Sequence, residues 1–584
     1  GEEEGEEATV FGLDGLEVPK KVKDPKAAAK ALLKLFMGEK KRFNVVIASS
    51  EVSPYSKSGG LADVAAKLSI ALSQLGHRVM TVSPSYRDYD GPVATGVTKD
   101  FELYGGNHPV HYTHQWVPTD LSETPNPIMG VDRVFVQNAN AFERAGMYGD
   151  PHEYFDNLCR FSLLCWAAVE APLMLPPDDP FGEEVIFIAN DWQTALLPMI
   201  LASHYRRWRV FEPARCLFTI HNMGYPGNFP NPQMYNYDIE NPRDTPKWSF
   251  MDLGLADNLY YDVYKYIFPE ELRGDKGVVD EGEACRLLKG AILMADRVVT
   301  VSPTYREEIM TTQGGWGMHE DCRARQDRLD GILNGIDTVE WDPETDPHIA
   351  AYFSPKNLTG KAVCKAALQE ALGLNQDPNA PIVAFIGRLA PQKGIDVIEQ
   401  SYHWLMGEGT GDTQLVMMGS GQAEYADFMR NAENQYKGRV CGYVGFSPEM
   451  EHAIIAGADI LVMPSRYEPC GLPQMYAQRY GTIPIVHATG GLQDSVDQFA
   501  EKSEEAPSSG TGWKFGSCDP QALQWGLGSA IGVYKKEPEE WQDLLQRAMA
   551  KDFSWKGSAE KYVQLMEWAS LDPPRHRPWQ FQHD

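Results

Sequence analysis

The feature that most constrains the fold is a series of short, uninterrupted apolar runs that occurs twice along the chain. The first series is FNVVIAS (43–49), RVFV (133–136), VIFIAN (185–190), CLFTIHN (216–222) and RVVTVS (297–302), and the second is PIVAFIG (381–387), QLVMMG (414–419), DILVMPS (459–465) and TIPIVHA (482–488). Helix-length segments separate the runs. Strands that are apolar on both faces and alternate with helices are typical of a parallel sheet covered by helices. The pattern predicts an α/β fold.

The repetition predicts two doubly wound, Rossmann-like domains, because one open sheet rarely exceeds about ten strands. The turn GILNGID (331–337) separates the two series. We therefore predict a first domain over residues 42–330, a second over 331–545, and a final helical segment over 546–575. Two such domains facing each other form a cleft, which is a natural ligand site. The alternation of strands and helices alone fits a second interpretation equally well, in which one domain is catalytic and the other is structural.

Composition and charge exclude several classes of protein. Hydrophobic residues make up 43% of the 584 residues, which is enough to build packed cores. The formal net charge of −28 repels nucleic acid and anionic lipid. The longest apolar run, Phe161 to Leu175, is interrupted by Glu170 and Pro172 and falls short of the roughly 18 residues that a membrane helix needs. We expect neither a nucleic-acid partner nor a membrane partner.

The N-terminal residues 1–41 are predicted to be an acidic extension that is partly disordered. GEEEGEE (1–7) is a charge run of the kind that is usually solvated, and KAAAKALLKLFM (26–37) predicts only a short amphipathic helix. No cationic, Ser-rich leader follows Gly1, so we expect no targeting peptide within the chain as given. The nine cysteines include no CxxC, which indicates neither a disulfide framework nor a zinc ribbon.

A glycine-containing loop, KSGGLADV (57–64), follows the first predicted strand and opens an amphipathic helix. Gly59 and Gly60 let backbone N–H groups converge at the helix N-terminus, where an anion is favoured, and Lys57 adds a positive charge. The loop is neither GxGxxG nor a Walker loop. A tight structural turn is an equally good interpretation on composition alone.

A second cationic loop, GRLAPQKG (387–394), follows the first strand of the second series. Arg388 offers a planar fork for phosphate oxygens and Lys393 a point charge, so the pair can neutralise a diphosphate without a metal. The competing interpretation is a solvated basic turn.

The segment PSRYEPCGL (464–472) begins where the strand DILVMPS ends, which is where open α/β sheets bind ligands. Glu468 on this loop can hold sugar hydroxyls or stabilise a developing oxocarbenium charge. Cys470 has no flanking base in the sequence, so we interpret it as a small thiol lining the pocket rather than as a nucleophile.

Two further segments lie at strand ends of the first domain, NDW (190–192) and IHN (220–222). His221 is either a hydrogen-bonding group for substrate or a satisfied core histidine, and its position alone slightly favours the core. Trp192 and Tyr225 can stack on sugar faces, although burial is the commoner fate of an aromatic side chain. No HxxxH or acidic cluster has metal-ligand spacing, so we expect no metal and no cofactor.

Taken together, these motifs resemble the starch and glycogen synthases, which are retaining glucosyltransferases of the GT-B fold. The motifs that occur in the family's order are KSGGLADV (57–64), NDW (190–192), TIHN (219–222), TVSP (300–303), GILNGID (331–337), GRLAPQKG (387–394), SRYEPCGLPQMYAQRYG (465–481), TGGLQDSV (489–496) and DFSW (552–555). The resemblance runs from about residue 42 to 570. It implies transfer of glucose from ADP-glucose to the non-reducing end of an α-1,4-glucan or starch granule.

The resemblance also implies roles for individual residues. The set implied to be catalytic is Lys57, His221, Arg388, Lys393 and Glu468. The set implied to bind the donor is Gly59, Gly60, Asp63, Asp191, Asn334, Cys470, Gly471 and Leu472. Trp192 and Tyr225 are assigned to the acceptor. His221 is expected near the 6-hydroxyl of the transferred glucose, and Arg388 and Lys393 are expected to clamp the diphosphate.

One position departs from the wider superfamily, which often shows two glutamates eight residues apart. The second position here is Tyr476, as is usual in this branch, so a paired-carboxylate mechanism is not expected. The departure fits a front-face displacement in which the leaving phosphate takes the acceptor proton. The family's last helix crosses back to the first domain, and we place that crossing at DFSWKGSAEKY (552–562).

The subtype is less sharply indicated. GVDRVFVQ (130–137), RFSLLC (160–165), MTVSPSY (80–86) and SWKG (554–557) favour a granule-bound enzyme that makes amylose, whereas GGWGMH (314–319) and GKAVCKAALQ (360–369) resemble soluble synthases. ADP rather than UDP as the nucleotide and residence in a plastid are implied by resemblance alone. Cys322 and Cys518 lie in regions where granule-bound enzymes can carry a disulfide, and the sequence leaves open whether they pair. A soluble synthase, an inactive glucan-binding scaffold, and a sucrose or trehalose-phosphate synthase stay as alternatives.

Overall fold

Two sheets, one following the other along the chain, organise the structure, which is a computed structural model. It describes residues 41–119, 129–149, 152–154, 156–230, 249–256, 258–259, 263–267, 283–407, 410–503 and 506–575. The described residues from Asn44 onward belong to one compact unit. The predictions for the N-terminal extension concern residues that, apart from residue 41, lie outside the described ranges.

The first sheet contains nine of the described strands in the order β12-β11-β7-β6-β1-β2-β5-β4-β3. These strands are β1 (Asn44–Ala48), β2 (Arg78–Pro84), β3 (Val93–Leu103), β4 (Gly106–Pro118), β5 (Gly130–Gln137), β6 (Val185–Asn190), β7 (Arg215–Ile220), β11 (Arg297–Thr300) and β12 (Leu329–Gly331). Pairing is parallel from β12 to β5, as the apolar runs predict. We call residues 44–331 the first lobe.

The edge of this sheet differs from the fully parallel prediction, because β3 and β4 pair antiparallel to each other and β4 pairs antiparallel to β5. Along most of β3, exposed residues alternate with partly exposed ones. Polar residues therefore interrupt the apolar pattern, as is typical of an antiparallel edge with one solvated face. A small antiparallel sheet, also absent from the prediction, is formed by β8 (Asn228–Pro230), β9 (Lys265–Ile267) and β10 (Glu283–Arg286).

The second sheet contains six of the described strands, all parallel, in the order β15-β14-β13-β16-β17-β18. They are β13 (Ile382–Ile386), β14 (Gln414–Gly419), β15 (Val440–Val444), β16 (Ile460–Met463), β17 (Ile483–His487) and β18 (Trp513–Phe515). Alternate residues of β13 enter separate cores, Val383 on one face and Ala384 on the other. Burial on both faces is why the strand reads as a continuous apolar run. We call residues 359–549 the second lobe.

Helices cover both sheets. Those described are α1 (Gly60–Gln74), α2 (Ala139–Phe142), α3 (Asn157–Met174), α4 (Leu197–Met199), α5 (Leu287–Met294), α6 (Pro303–Ile309), α7 (His319–Arg323), α8 (Thr359–Ala371), α9 (Ile395–Leu405), α10 (Ala423–Gln435), α11 (Pro448–Gly457), α12 (Pro473–Arg479), α13 (Gly490–Ser495), α14 (Pro520–Lys536), α15 (Pro538–Met549) and α16 (Trp555–Leu571). Within the described ranges, none has the length and apolar character needed to cross a bilayer.

The final helix, α16, follows the second lobe in sequence but packs on the first. Arg215 at the start of β7 donates from Nε to the carbonyl oxygen of Ala569 at 2.9 Å. Arg297 forms an ion pair with Asp572 at 3.0 Å. The C-terminal end of α16 is thereby fixed to the first sheet.

Candidate active site

A cavity of about 860 Å³ lies where the carboxyl ends of strands from both sheets face each other. The first lobe contributes the loop after β1 and the residues after β7 and β11, and the second contributes the loops after β13, β14, β15 and β16. Ligands of open α/β sheets bind at this end of the strands. The predicted site residues that line the cavity are Lys57, Gly59, Gly60, Asp63, His221, Asn334, Arg388, Lys393, Glu468, Cys470, Gly471 and Leu472.

The loop before α1 is held in place by a buried carboxylate. Glu51 accepts hydrogen bonds from the backbone N and the Oγ of Ser58, at 2.5 and 2.8 Å. Gly59 is the N-cap of α1 and supplies no side-chain cap. The positive end of the helix is therefore directed at the cavity without a side-chain acceptor.

The charge of Lys57 is balanced by a carboxylate in the first turn of α1. Its Nζ lies 2.9 Å from Oδ2 of Asp63, while about half of the lysine side chain (53%) is exposed. Partial burial lowers the pKa of Lys57, but the hydrogen bond to Asp63 and the charges of Glu340 and Glu451 outweigh that effect and raise it. Lys57 is therefore a charged and accessible group on the cavity wall.

The second cationic loop forms an ion pair with the predicted carboxylate. Lys393 Nζ lies 2.5 Å from Oε2 of Glu468, and Ser465 Oγ donates to the same oxygen at 3.0 Å. Arg388 donates to Oε1 of Gln392 at 3.2 Å. The loops after β13 and β16 therefore present two cations and one carboxylate as a connected group.

A glycine allows these two loops to approach so closely. Gly394 has a φ of +70°, and a Cβ there would lie 1.9 Å from the carbonyl oxygen of Pro464. Only glycine fits this conformation and this contact. The glycine that ends GRLAPQKG therefore packs directly against the start of PSRYEPCGL.

Cys470 is buried, and desolvation raises the pKa of its thiol to about 12. The thiol is therefore protonated at neutral pH and is not an activated nucleophile.

Asn334 is buried beside the same cavity, and its Oδ1 accepts no hydrogen bond from the described residues. This oxygen is itself buried, so it is not an exposed acceptor on the cavity wall.

His221 is neutral and has a defined tautomer. Burial lowers its pKa to about 3. Its Nε2 lies 2.9 Å from Oδ1 of Asn190, whose amide nitrogen donates to the carbonyl oxygen of Ala48 at 2.9 Å. Oδ1 of Asn190 is therefore an acceptor, Nε2 of His221 carries the proton, and Nδ1 is left as an acceptor.

Asp191 is hydrogen-bonded to the backbone of His221 and is not among the cavity-lining residues. Its Oδ1 accepts from the backbone N of His221 at 2.7 Å, and its φ of +54° is uncommon for a residue other than glycine. Burial raises the pKa of Asp191 to about 7, although backbone donors from His221 and Asn222 oppose the rise. This geometry fits a positioning role.

The structure does not place the two predicted stacking aromatics in the cavity wall. Trp192 packs edge-on against Phe161, with ring centroids 5.3 Å apart, and against Phe229. Tyr225 is 48% exposed, and its hydroxyl accepts from Arg388 at 3.4 Å. Acceptor binding by either residue stays a prediction.

Several residues that line the cavity could not be identified from the motifs in the sequence. Phe446, 61% exposed, presents a ring from the loop after β15, and Glu451 lines the wall that faces Lys57. Trp341 stacks between His452 and Tyr476, at centroid distances of 3.8 and 3.9 Å. Phe446 follows the end of β15 by two residues, a position at which an aromatic can be predicted to line a site. The glycine within β15 (VCGYV) interrupts the apolar run by which a strand is recognised, so this strand was not predicted.

The structure answers the question that the sequence left open about Cys322 and Cys518. Cys322 and Cys518 are both free thiols, Cys322 buried in the first lobe and Cys518 donating to the carbonyl oxygen of Pro464 at 3.1 Å. The two thiols therefore do not form a disulfide with each other. Among the residues that the structure describes, no three His, Cys, Asp or Glu side chains are grouped as metal ligands would be.

Two Rossmann-like lobes that share one cavity at their strand ends, with cations from both lobes and one carboxylate, define a GT-B glycosyltransferase. The family described as "Starch synthase catalytic domain" matches residues 44–324, and "Glycosyl transferases group 1" matches residues 369–541. Soluble starch synthase 1 from Solanum tuberosum is 42% identical over 541 residues, which are 91% of this chain and 79% of that protein. The chain belongs to the starch synthase family.

A further relative and a solved structure are also starch synthases. Granule-bound starch synthase 2 from Solanum tuberosum is 39% identical over 90% of this chain and 63% of its own length. The catalytic domain of starch synthase IV from Arabidopsis thaliana, solved with ADP and acarbose, is 31% identical in sequence and superposes with a TM-score of 0.74. The match covers 91% of the present chain and 100% of the solved domain. Relatives named soluble and granule-bound both match, so the granule-bound subtype stays a prediction.

Proposed function

We propose that the chain transfers glucose from ADP-glucose to the non-reducing end of an α-1,4-glucan, with retention of configuration. The observation that carries this proposal is that Lys57 of one lobe and Arg388, Lys393 and Glu468 of the other line a single cavity. A similar protein, starch synthase IV from Arabidopsis thaliana, was solved with ADP and acarbose. A nucleotide and a glucan-like ligand are therefore compatible with this fold.

The cations give the donor diphosphate its site. The uncapped N-terminus of α1 and Lys57 offer positive potential from the first lobe, and Arg388 and Lys393 offer it from the second. Phe446 offers an exposed ring beside them on which the nucleobase can stack. Their combined charge offsets the charge that develops on the ADP leaving group, which is where electrostatic catalysis acts.

The transfer itself needs no covalent enzyme intermediate. The bond between the anomeric carbon and the diphosphate oxygen breaks, the acceptor hydroxyl oxygen bonds to that carbon from the same face, and the departing phosphate takes the acceptor proton. The carboxylate of Glu468 stabilises the positive charge that develops on the sugar ring. Nδ1 of His221 accepts from a hydroxyl of the transferred glucose, which holds the ring in place.

The same proposal includes the nucleotide and the place of action. We propose that ADP-glucose is preferred over UDP-glucose and that no metal takes part. We also propose that the protein works in a plastid, on soluble glucan or at the starch granule. Chloroplastic and amyloplastic names among the relatives support the plastid. The alternative of an inactive scaffold would need a broken clamp, whereas Lys57, Arg388, Lys393 and Glu468 are all present.

The test is an incubation with maltoheptaose and either ADP-glucose or UDP-glucose, with and without starch granules, that follows nucleotide release and chain length together. We expect one glucose added per ADP released, and loss of at least about 100-fold in kcat for Glu468→Gln. Glu424→Gln, an exposed carboxylate on α10, is the matched control. No reaction in folded wild-type protein would favour the scaffold, and nucleotide release without chain extension would contradict glucan as the acceptor.

A further inference from the structure

Three aromatic side chains from both lobes lie together beside the cavity, and we define Tyr225, Trp316 and Tyr467 as the aromatic platform. The rings of Trp316 and Tyr467 meet edge to face, with centroids 5.8 Å apart at 69°. The hydroxyl of Tyr225 accepts from Arg388 at 3.4 Å. Tyr467 directly precedes Glu468 in the chain, so the platform begins one residue from the proposed catalytic carboxylate.

The platform adjoins the cavity through a glycine. The backbone N of Gly224 donates to Oδ1 of Asn222, a cavity-lining residue, at 2.8 Å. A Cβ at Gly224 would lie 3.2 Å from the hydroxyl of Tyr467 and 3.5 Å from Cζ2 of Trp316. The absent side chain leaves the surface between the cavity and the two rings open.

Trp316 is not a core residue, because 45% of it is exposed. Its backbone has a φ of +48°, which is a genuine outlier for a bulky side chain. Such strain persists only where the surroundings enforce it, and it is concentrated at functional sites. A strained backbone that presents an indole ring to solvent beside a cavity points to ligand binding by that ring.

The loop around Trp316 is fixed on both sides. Arg286 donates to the carbonyl oxygen of Trp316 at 2.6 Å. Gly317 has a φ of +82° and packs so tightly on Tyr266 that a Cβ would lie 1.7 Å from its hydroxyl. The ring is therefore held in position before any ligand binds, which lowers the entropic cost of binding.

We propose that the aromatic platform binds the acceptor glucan, with Trp316 stacking on glucose units that lie behind the reacting end. The proposal rests on the proposed function, because it assumes that an α-1,4-glucan enters the cavity. The C–H face of a glucose ring is apolar and its rim carries hydroxyls, which matches rings that are apolar on the face and, in Tyr225 and Tyr467, polar at the tip. Continuity with the cavity selects a glucan as the occupant.

The experiment compares steady-state kinetics of the full chain with Trp316→Ala, Trp316→Gly and Trp316→Phe, varying maltoheptaose and ADP-glucose separately. We expect the KM for maltoheptaose to rise about tenfold in Trp316→Ala and Trp316→Gly, with kcat and the KM for ADP-glucose changed less than about twofold. Trp316→Phe recovers most of the affinity. Glycine accepts the φ of +48°, so that variant keeps the fold without the ring.

The matched control is Trp525→Ala, which removes another exposed tryptophan, on α14 and outside the cavity wall, and leaves both KM values unchanged. Titration calorimetry with maltoheptaose alone reports the same loss of binding without turnover. A KM for maltoheptaose within twofold of wild type in Trp316→Gly, in an enzyme that still transfers glucose, would overturn the platform but leave the proposed function standing. Absence of transfer by the wild type would instead overturn the proposed function.

Discussion

Lys393 and Glu468 form one unit, with Nζ of the lysine 2.5 Å from Oε2 of the glutamate. The lysine comes from the loop after β13 and the glutamate from the loop after β16. Both side chains are mostly buried, at 20% and 9% exposed. Each therefore depends on the other for compensation of its charge.

We expect Lys393→Ala to lower kcat by about 100-fold or more, because it removes a cation from the departing diphosphate and leaves Glu468 without its countercharge. Arg388→Ala should act in the same direction. The dissociation constant for maltoheptaose should stay within about twofold in both variants. Arg430→Ala, an exposed cation that pairs with Asp427, is the control. Weakened glucan binding with an unchanged kcat would contradict the assignment of these cations to the donor.

The pH dependence of activity tests the state of His221. Because burial lowers its pKa to about 3, His221 is neutral throughout pH 5–9. We expect His221→Asn to lower kcat/KM at every pH in this range without changing the shape of the profile. An acidic limb near pH 6.5 that is present in the wild type and lost in His221→Asn would show that the imidazolium takes part.

Glu451 should make the protein less stable as the pH rises. Burial raises the pKa of Glu451 to about 7, so the folded state binds more protons than the unfolded state between about pH 4.5 and 7, and the unfolding free energy falls across that window. Removing the charge with Glu451→Gln should therefore raise stability by about 3 kcal/mol at pH 8 and leave it nearly unchanged at pH 4.5.

Calorimetric melting at the two pH values measures this difference. Glu449→Gln is the control on the same helix, because the hydrogen bond with Ser447 lowers the pKa of Glu449 rather than raising it. It should not raise the melting temperature at pH 8. A lower melting temperature of Glu451→Gln at pH 8 would show that the attraction of Lys57 outweighs the cost of burial.

Gly394→Ala should damage both stability and activity. A Cβ at Gly394 would lie 1.9 Å from the carbonyl oxygen of Pro464, so the loops that carry Lys393 and Glu468 must move apart. Gly373 also has a positive φ, +67°, but a Cβ there meets nothing within 4 Å. Gly373→Ala should therefore cost about 1 kcal/mol of stability and keep kcat, whereas Gly394→Ala should lose most of kcat. Equal effects of the two changes on kcat would contradict the loop contact.

The parallel strands could be predicted from the sequence because they are buried on both faces. In β13, Val383 and Ala384 enter different cores, and the run is apolar throughout. This reasoning does not extend to β3 and β4, because exposed residues such as Asp100 and His111 lie within these strands. These strands pair Thr98 with His111 at a solvated edge, where an apolar run is not required.

The site could be predicted where a motif follows a strand directly. Lys57, Arg388 and Glu468 were found in this way, since parallel strands place their following loops at one edge. Glu451 and Trp316 could not be found, because they meet the other residues only through the packing of one lobe on the other. Cys322 shows the converse, since no pattern in the sequence reveals that its thiol is buried away from Cys518.

Lys57 of the first lobe and Arg388 of the second are proposed to act on one and the same diphosphate. The most direct measurement is a double-mutant cycle of ADP binding by titration calorimetry, with Lys57→Ala, Arg388→Ala and the double variant. We expect each single change to weaken ADP binding by about tenfold or more, and we expect the two effects not to be additive, because both cations contact one ligand. Unchanged ADP affinity in Lys57→Ala, or strict additivity of the two changes, would contradict it.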